Sequence, residues 1–271
     1  MIILNKKEFV LNNLYILQKK RIIFLALFLS VSFTFSQNKS SGVVEYVVKN
    51  NENYDARKIF DTPGLKGMPE NMKNKTISAM METGSFVLYF NKNESIYKQK
   101  DSIEKMKVDI NKRKKPSFLK NFGGGLRKYY TNLQNKQLLV QEDSEVLENK
   151  YLISYDFSKW KLLNETKKIG NYVCYKAIKN DTKSDLEEKK QTIVWYTPKI
   201  PTRFGPKLYN GLPGLVLEVN RGQIVFLATK IILNPKETII IKKPKKGIKI
   251  TSTKYRKKVI EAYDRSGFRL E

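Results

Sequence analysis

The side chains that most often do chemistry are nearly absent from this sequence. It contains no His and one Cys, Cys174, within Tyr172-Val-Cys-Tyr175. Without imidazole, no Ser-His-Asp or Cys-His pair can be assembled, nor a zinc site of the usual His/Cys kind. A single cysteine also excludes an intramolecular disulfide. A nucleophilic Cys174 would need a neighbouring base or cation, and Lys176 is two positions along. A free cysteine within a strand is more often a small buried hydrophobe. Gly123 to Gly125 lacks the Lys-Ser/Thr ending of a phosphate-cradling loop and reads as a flexible joint. No cofactor is expected. Carboxylates remain: a facing pair across a cleft could hydrolyse a glycan, and Glu45 and Glu218 are candidates that no motif joins.

The elements that must carry these groups read as strands. Ser41 to Asn50 is rich in β-branched and aromatic residues. Ser85 to Phe90 and Glu94 to Gln99 alternate, with Asn91-Lys-Asn93 as their hairpin turn. Further strands are predicted over Lys128 to Asn132, Gln137 to Gln141, Leu152 to Asp156, Lys159 to Leu163 and Tyr172 to Ile178. Others follow over Thr192 to Thr197, Leu215 to Asn220, Gln223 to Lys230 and Thr238 to Ile241. The short connections leave no room for parallel crossover helices. The fold class expected is mainly β: one large curved antiparallel sheet, half-barrel-like, with one or two α-helices packed on it. One helix is predicted over Pro69 to Glu82, where Met72, Ile77, Met80 and Met81 fall near helical spacing. Met72 and Met80 would line either core or an apolar groove. A second helix starts at Thr251 or Ser252 and runs to about Arg265. Tyr255 and Val259 lie on its apolar face and Lys254 and Lys258 on its basic face, which suits docking on the sheet or contact with a membrane surface.

The densest pattern lies between Ile193 and Val219. Trp195 and Tyr196 point to opposite faces of one strand, so one joins the core and the other can line a groove. Gly205-Pro206 and Gly211 bend the chain. Leu212-Pro-Gly-Leu215 then reads as a type II turn, with Pro213 at its second position and Gly214 supplying a positive φ at its third. Leu212 and Leu215 flank the turn and can tuck into a core. Leu215, Leu217 and Val219 are expected on one strand face, Val216 and Glu218 on the other. The pattern is a core-forming corner or the lip of a ligand site.

Bulk properties bound the rest. The 271 residues, 41% hydrophobic and 29% charged, can bury a core. The net charge of +26 comes mostly from Lys, which with abundant Asn and Ile reads as an AT-rich coding bias more than a selected face. Lys19, Lys20 and Arg21 precede an apolar run from Ile22 to Phe35 and then Ser36-Gln37, the pattern of a secretory signal. The run is shorter than the roughly 20 residues of a membrane span. No Cys lies at the junction, so a lipoprotein anchor is not expected. The organisation expected is a signal peptide over 1–36 and a β domain over 37–241. That domain carries a basic insertion at about 101–126, and a basic linker and helix follow over 242–271.

The turn at Gly211 to Val216 resembles the name-giving motif of the GLPGLI family of exported Bacteroidetes proteins, with Val216 where the family has Ile. Trp160-Lys-Leu-Leu, Glu165 to Ala177 and Trp195-Tyr-Thr197 are similar to its ordered landmarks, and Ser85 to Tyr97 to its early hairpin. The resemblance implies a cell-envelope protein, in the periplasm or associated with the outer membrane, often encoded near TonB-dependent receptors. It implies no catalytic residue. The function expected is non-enzymatic: binding a lipophilic or peptide ligand, or serving an outer-membrane receptor. The alternatives are a carboxylate-dependent hydrolase and a basic protein binding anionic membrane or polymer. Export argues against nucleic acid as the partner.

Overall fold

The structure, a computed structural model, describes residues 15, 17–19, 41–52, 55–61, 66–81, 83–100, 123–180 and 191–265. The apolar run and junction of the expected signal, and 101–122 of the expected insertion, lie outside the described residues. The chain divides into two units, Met1–Lys39 and Ser40–Glu271. In the first, Tyr15 and residues 17–19 are helical, and Lys19 Nζ lies 4.9 Å from the Tyr15 ring centre.

The second unit is built on one open sheet of twelve strands. These are β1 (Gly42–Asn50), β2 (Gly84–Phe90), β3 (Glu94–Gln99), β4 (Lys128–Asn132), β5 (Gln137–Ser144) and β6 (Asn149–Ser154). They continue with β7 (Lys161–Ile169), β8 (Tyr172–Asn180), β9 (Gln191–Thr197), β10 (Leu215–Arg221), β11 (Ile224–Leu233) and β12 (Ile248–Thr251). Helix α1 (Glu70–Met81) separates β1 from β2, after a 3-10 turn at Ala56–Asp61, and α2 (Ser252–Arg265) follows β12. Across the sheet the order is β12-β6-β5-β4-β3-β2-β1-β11-β10-β9-β8-β7.

Most of this order follows from local hairpins. Asn91 Oδ1 accepts from the backbone N–H groups of Asn93 and Glu94 and so folds the β2–β3 turn. Gly222, at φ +57°, closes β10 onto β11. One long-range pairing joins the two hairpin series: β1 lies between β2 and β11, paired from Gly42 with Leu233 to Asn50 with Ile224 across a register shift between Glu45 and Tyr46. The alternation of β1 does this, since Val44, Tyr46 and Val48 are all buried on one face. The mainly β class is therefore as expected, with one difference. The last strand, β12, runs parallel to β6, because the chain crosses the sheet over 234–247 before pairing again. The sheet is thus mixed.

The core lies on the face carrying Tyr46, Phe86, Leu88, Phe90 and Tyr97. Its rings interlock: Phe86 stacks on Tyr97 at 5.4 Å, and Tyr46 and Tyr129 meet Tyr97 edge-on at 6.1 and 5.9 Å. Segment 198–214 covers the face near β9 and β10, contributing buried Ile200, Phe204 and Leu212. Helix α2 docks near the other edge, with Tyr255 edge-on to Tyr151 at 5.1 Å and the Thr251 hydroxyl accepting from Lys254 N–H as a cap. Its basic residues face solvent, as the amphipathic pattern implies.

Two expectations need correction, and a third, for Met72, keeps only its groove half. The glycine run is no joint: Gly123 and Gly124 are buried against the Phe86 and Tyr129 rings, and a Cβ on Gly123 would sit 2.0 Å from Phe86. Thr238 to Ile241 forms no strand, and Ile240 is 78% exposed. Met72 is 54% exposed and lines no core, while the side chain of Met80 lies outside the described residues.

The Tyr46 phenol is held protonated well above its ordinary range by burial, and its Oη donates to Val216 O at 2.5 Å. Replacing Tyr46 with Phe leaves that carbonyl without this donor. The expected loss is about 1–3 kcal/mol, read from urea unfolding midpoints.

Candidate binding site

The segment between β9 and β10 folds into a tight corner whose polar groups are satisfied internally. Asn210, 1% exposed, accepts from Gly205 N–H at 3.0 Å and donates through Nδ2 to Lys207 O at 3.1 Å. Its own carbonyl accepts from Trp160 Nε1 at 3.0 Å. Arg203 O accepts from Gly211 N–H at 2.8 Å, and Arg203 Nη2 donates back to Gly211 O at 3.0 Å. The corner is then sewn to the strand it precedes, with Leu215 N–H donating to Ile200 O and Val216 N–H to Phe204 O, both at 3.1 Å.

Glycine serves here in a different way from the one predicted. The positive φ belongs to Gly211, at +98°, and not to Gly214. Gly214 is required because the end of β9 passes against it: a Cβ there would lie 2.3 Å from Thr197 O. A Cβ on Gly205 would lie 2.2 Å from Tyr209 O. Leu212 and Leu215 are wholly buried, as the turn pattern implies, while Pro213 is exposed and Pro206 buried. A bulge between Val216 and Glu218 breaks the predicted alternation, so Val216 and Leu217 are both wholly buried. Lys207, at φ +50°, places Nζ 5.8 Å from the Tyr129 and Phe226 ring centres. Burial, with the charges of Arg127 and Arg221 adding, pushes its amine down to about 7. Nothing in the sequence singled it out.

Trp195 and Tyr196 do take opposite faces. Tyr196 is in the core, and Trp195 is half-buried under Lys167, whose Nζ lies 4.6 Å from its ring centre. Lys167 Nζ also meets Glu218 at 2.7 Å and lies opposite Cys174 in the β7–β8 register. The cation beside the thiol is therefore Lys167, while Lys176 pairs with Glu165 at 2.8 Å. Cys174 is wholly buried, and burial pushes its thiol up to about 11 despite Lys167. Glu45 pairs with Lys100 at 2.6 Å. Strand β11 separates it from Glu218, so the two carboxylates do not form a facing pair.

The other face of the sheet holds a groove that no sequence motif marked. Residues 234–247 cross it as a strap. Asn234 and Ser41 exchange hydrogen bonds at one end, and Gln141 Nε2 donates to Lys246 O at 2.7 Å at the other. Gly247, at φ +122°, then lets the chain approach the backbone of β6, where a Cβ would lie 2.8 Å from Tyr151 C. Between strap and sheet lies a cavity of about 740 Å³. Lys98 and Lys128 line it from the sheet, and Lys242, Lys243, Lys245 and Lys246 from the strap. Among the described residues no acidic side chain borders it. Lys243 Nζ donates to Gln137 Oε1 at 2.7 Å.

A family model described as a protein of unknown function, Porph_ging, matches residues 179–218. That stretch runs from the end of β8 through β9 and the whole corner into β10. It includes Gly205, Pro206, Gly211, Leu212, Pro213, Gly214 and Leu215, and the family is associated with Bacteroidetes. No curated protein matches the chain. Two solved structures of PNGF-II, in the C2 and P21 space groups, are similar at 16% identity, with TM-scores of 0.46 and 0.47. The matches cover 82% of this chain, which spans about a third of theirs, 33% and 34%.

Two outcomes follow. Gly214→Ala should destabilise the protein by about 1–3 kcal/mol or more, because backbone and not a flexible side chain blocks the new methyl, whereas Pro213→Ala should cost under about 1 kcal/mol. Thermal unfolding of both variants checks this. Cys174 should resist a thiol-reactive dye at pH 8 until urea unfolds the sheet. Its raised pKa means that the folded chain holds a proton that the unfolded chain releases first. Stability should therefore fall between about pH 9 and 11, and Cys174→Ala should remove part of that slope.

Proposed function

We propose that this chain is an exported, non-enzymatic binding protein of the bacterial cell envelope, and that its ligand carries anionic groups held in the groove between the strap and β2–β5. The finer family assignment, to the GLPGLI proteins, is part of this reading, as are the signal peptide and the periplasmic or outer-membrane-associated location. A TonB-dependent receptor is the partner this reading implies. One observation carries the ligand class: six lysines from the sheet and the strap line one cavity, four of them within Lys242 to Lys246. Gathering like charges costs free energy that an anion offsets. The aromatic core face, by contrast, is filled by its own rings and by the corner, which supports placing the ligand on the opposite face. No observation favours the hydrolase reading, since Glu45 and Glu218 are each committed to a lysine.

Calorimetric titration with inorganic tripolyphosphate at low salt tests the reading. Replacing Lys242, Lys243, Lys245 and Lys246 with Gln should weaken binding by about tenfold or more, with a shallower salt dependence. Replacing Lys254, Arg256, Lys257 and Lys258 of α2 with Gln removes the same charge and should leave affinity nearly unchanged. Equal losses in the two variants would show diffuse attraction and overturn the groove as the site.

A further inference from the structure

We infer that the ligand of this groove is a single-chain amphiphile with a phosphate head. This rests on the anion-binding reading above and adds to it an apolar half of the site. The groove is not a purely ionic cleft. Between its lysines lie Tyr89 on β2, Ile96 on β3 and, from the strap, Ile240 and Pro244. Tyr89 and Ile96 are cross-strand partners, so together they form one continuous apolar floor. Ile240 is the odd residue. It is 78% exposed in a segment without regular structure, yet it lines the cavity. Core packing does not account for an isoleucine held at a groove lip. A ligand that buries it does.

The lysines themselves contribute to both halves. A lysine carries a four-carbon apolar stem below its charged end, so a lysine-lined wall offers both apolar and cationic surface. At about 740 Å³ the cavity falls within the ~300–1,000 Å³ of sites for ligands larger than a bare ion. A soluble polyanion would use the cations and leave Tyr89, Ile96 and Ile240 unused. A neutral lipid would use the floor and leave the lysines unused. An alkyl chain bearing one compact charged head uses both. The head is assigned as phosphate, because its charge of roughly −1.5 to −2 near neutral pH offsets more of this cluster than a single carboxylate does. Lysine suits it as a flexible point charge.

The test compares decyl phosphate, propyl phosphate, decanoate and decyl maltoside by calorimetry below their micelle concentrations. Decyl phosphate should bind tightest. Shortening its chain by two carbons should weaken it by about tenfold, the effect of two methylenes leaving an apolar wall. Ile240→Ser changes an exposed side chain, so the fold should be retained. It should weaken decyl phosphate by about three- to tenfold and leave tripolyphosphate unchanged. Equal binding of propyl and decyl phosphate would overturn the amphiphile and leave the anion site standing. Decanoate binding as tightly as decyl phosphate would overturn the phosphate head. Decyl maltoside binding as tightly as decyl phosphate would overturn this inference and the anion reading together.

Discussion

The structure depends on how closely the corner before β10 can approach the sheet. Gly214 lies against the backbone of Thr197 and Pro198, and Gly205 against Tyr209 O and Val216. Neither place has room for a Cβ. That proximity lets Leu215 and Val216 donate back into the corner, and it places Ile200, Phe204 and Leu212 over the core. The bulge that follows at Leu217 tightens the same join, because it allows consecutive residues of β10 to be buried. Tyr46 reaches Val216 from β1 across β11, so the strand that joins the two hairpin series is tied to the corner as well. Two short backbone approaches and one phenol thus position the middle of the sheet.

With the core face closed in this way, the opposite face is shaped by a different constraint. After β11 the chain must cross five strands to reach β6, where it pairs in parallel. A crossing segment on a sheet normally buries an apolar stripe. This one instead carries four lysines between Ile241 and Gly247, and it meets the sheet where Lys98 and Lys128 stand. Of the strap lysines, Lys243 has a neutral partner in Gln137, and Gln141 binds backbone. The strap is therefore anchored through amides of β5, one of them bound by the Lys243 ammonium.

How much of this the sequence disclosed depended on the range of the interaction. The Asn91 turn and the Gly222 turn were legible because both use local side-chain or φ preferences. The Val44, Tyr46 and Val48 face was legible because a strand's period shows within one segment. Gly214 was misread, since a Pro-Gly pair looks the same whether glycine supplies a positive φ or merely lacks a Cβ; only the position of Thr197, seventeen residues earlier, separates the two. Gly123 was misread for the same reason, as its constraint is the Phe86 ring. Thr238 to Ile241 has strand-forming residues, but β1 already occupies the edge of β11, the strand that precedes it. The groove was legible only in part: its strap lysines showed as a basic linker, but Lys98 and Lys128, which meet them, lie more than a hundred residues earlier.

By sequence, Lys176 was the cation nearest to Cys174. The register places Lys167 opposite it instead, and ties that lysine to Glu218 and the face of Trp195. A lysine so engaged brings its counter-ion with it, and Glu218 raises the thiol's pKa while Lys167 lowers it. Burial then dominates and holds the sulfur protonated. The cluster has the components of an activated thiol and the opposite electrostatic result. Cys174 is thus a small, wholly buried side chain of the β7–β10 end of the sheet, opposite Lys167 in the ladder.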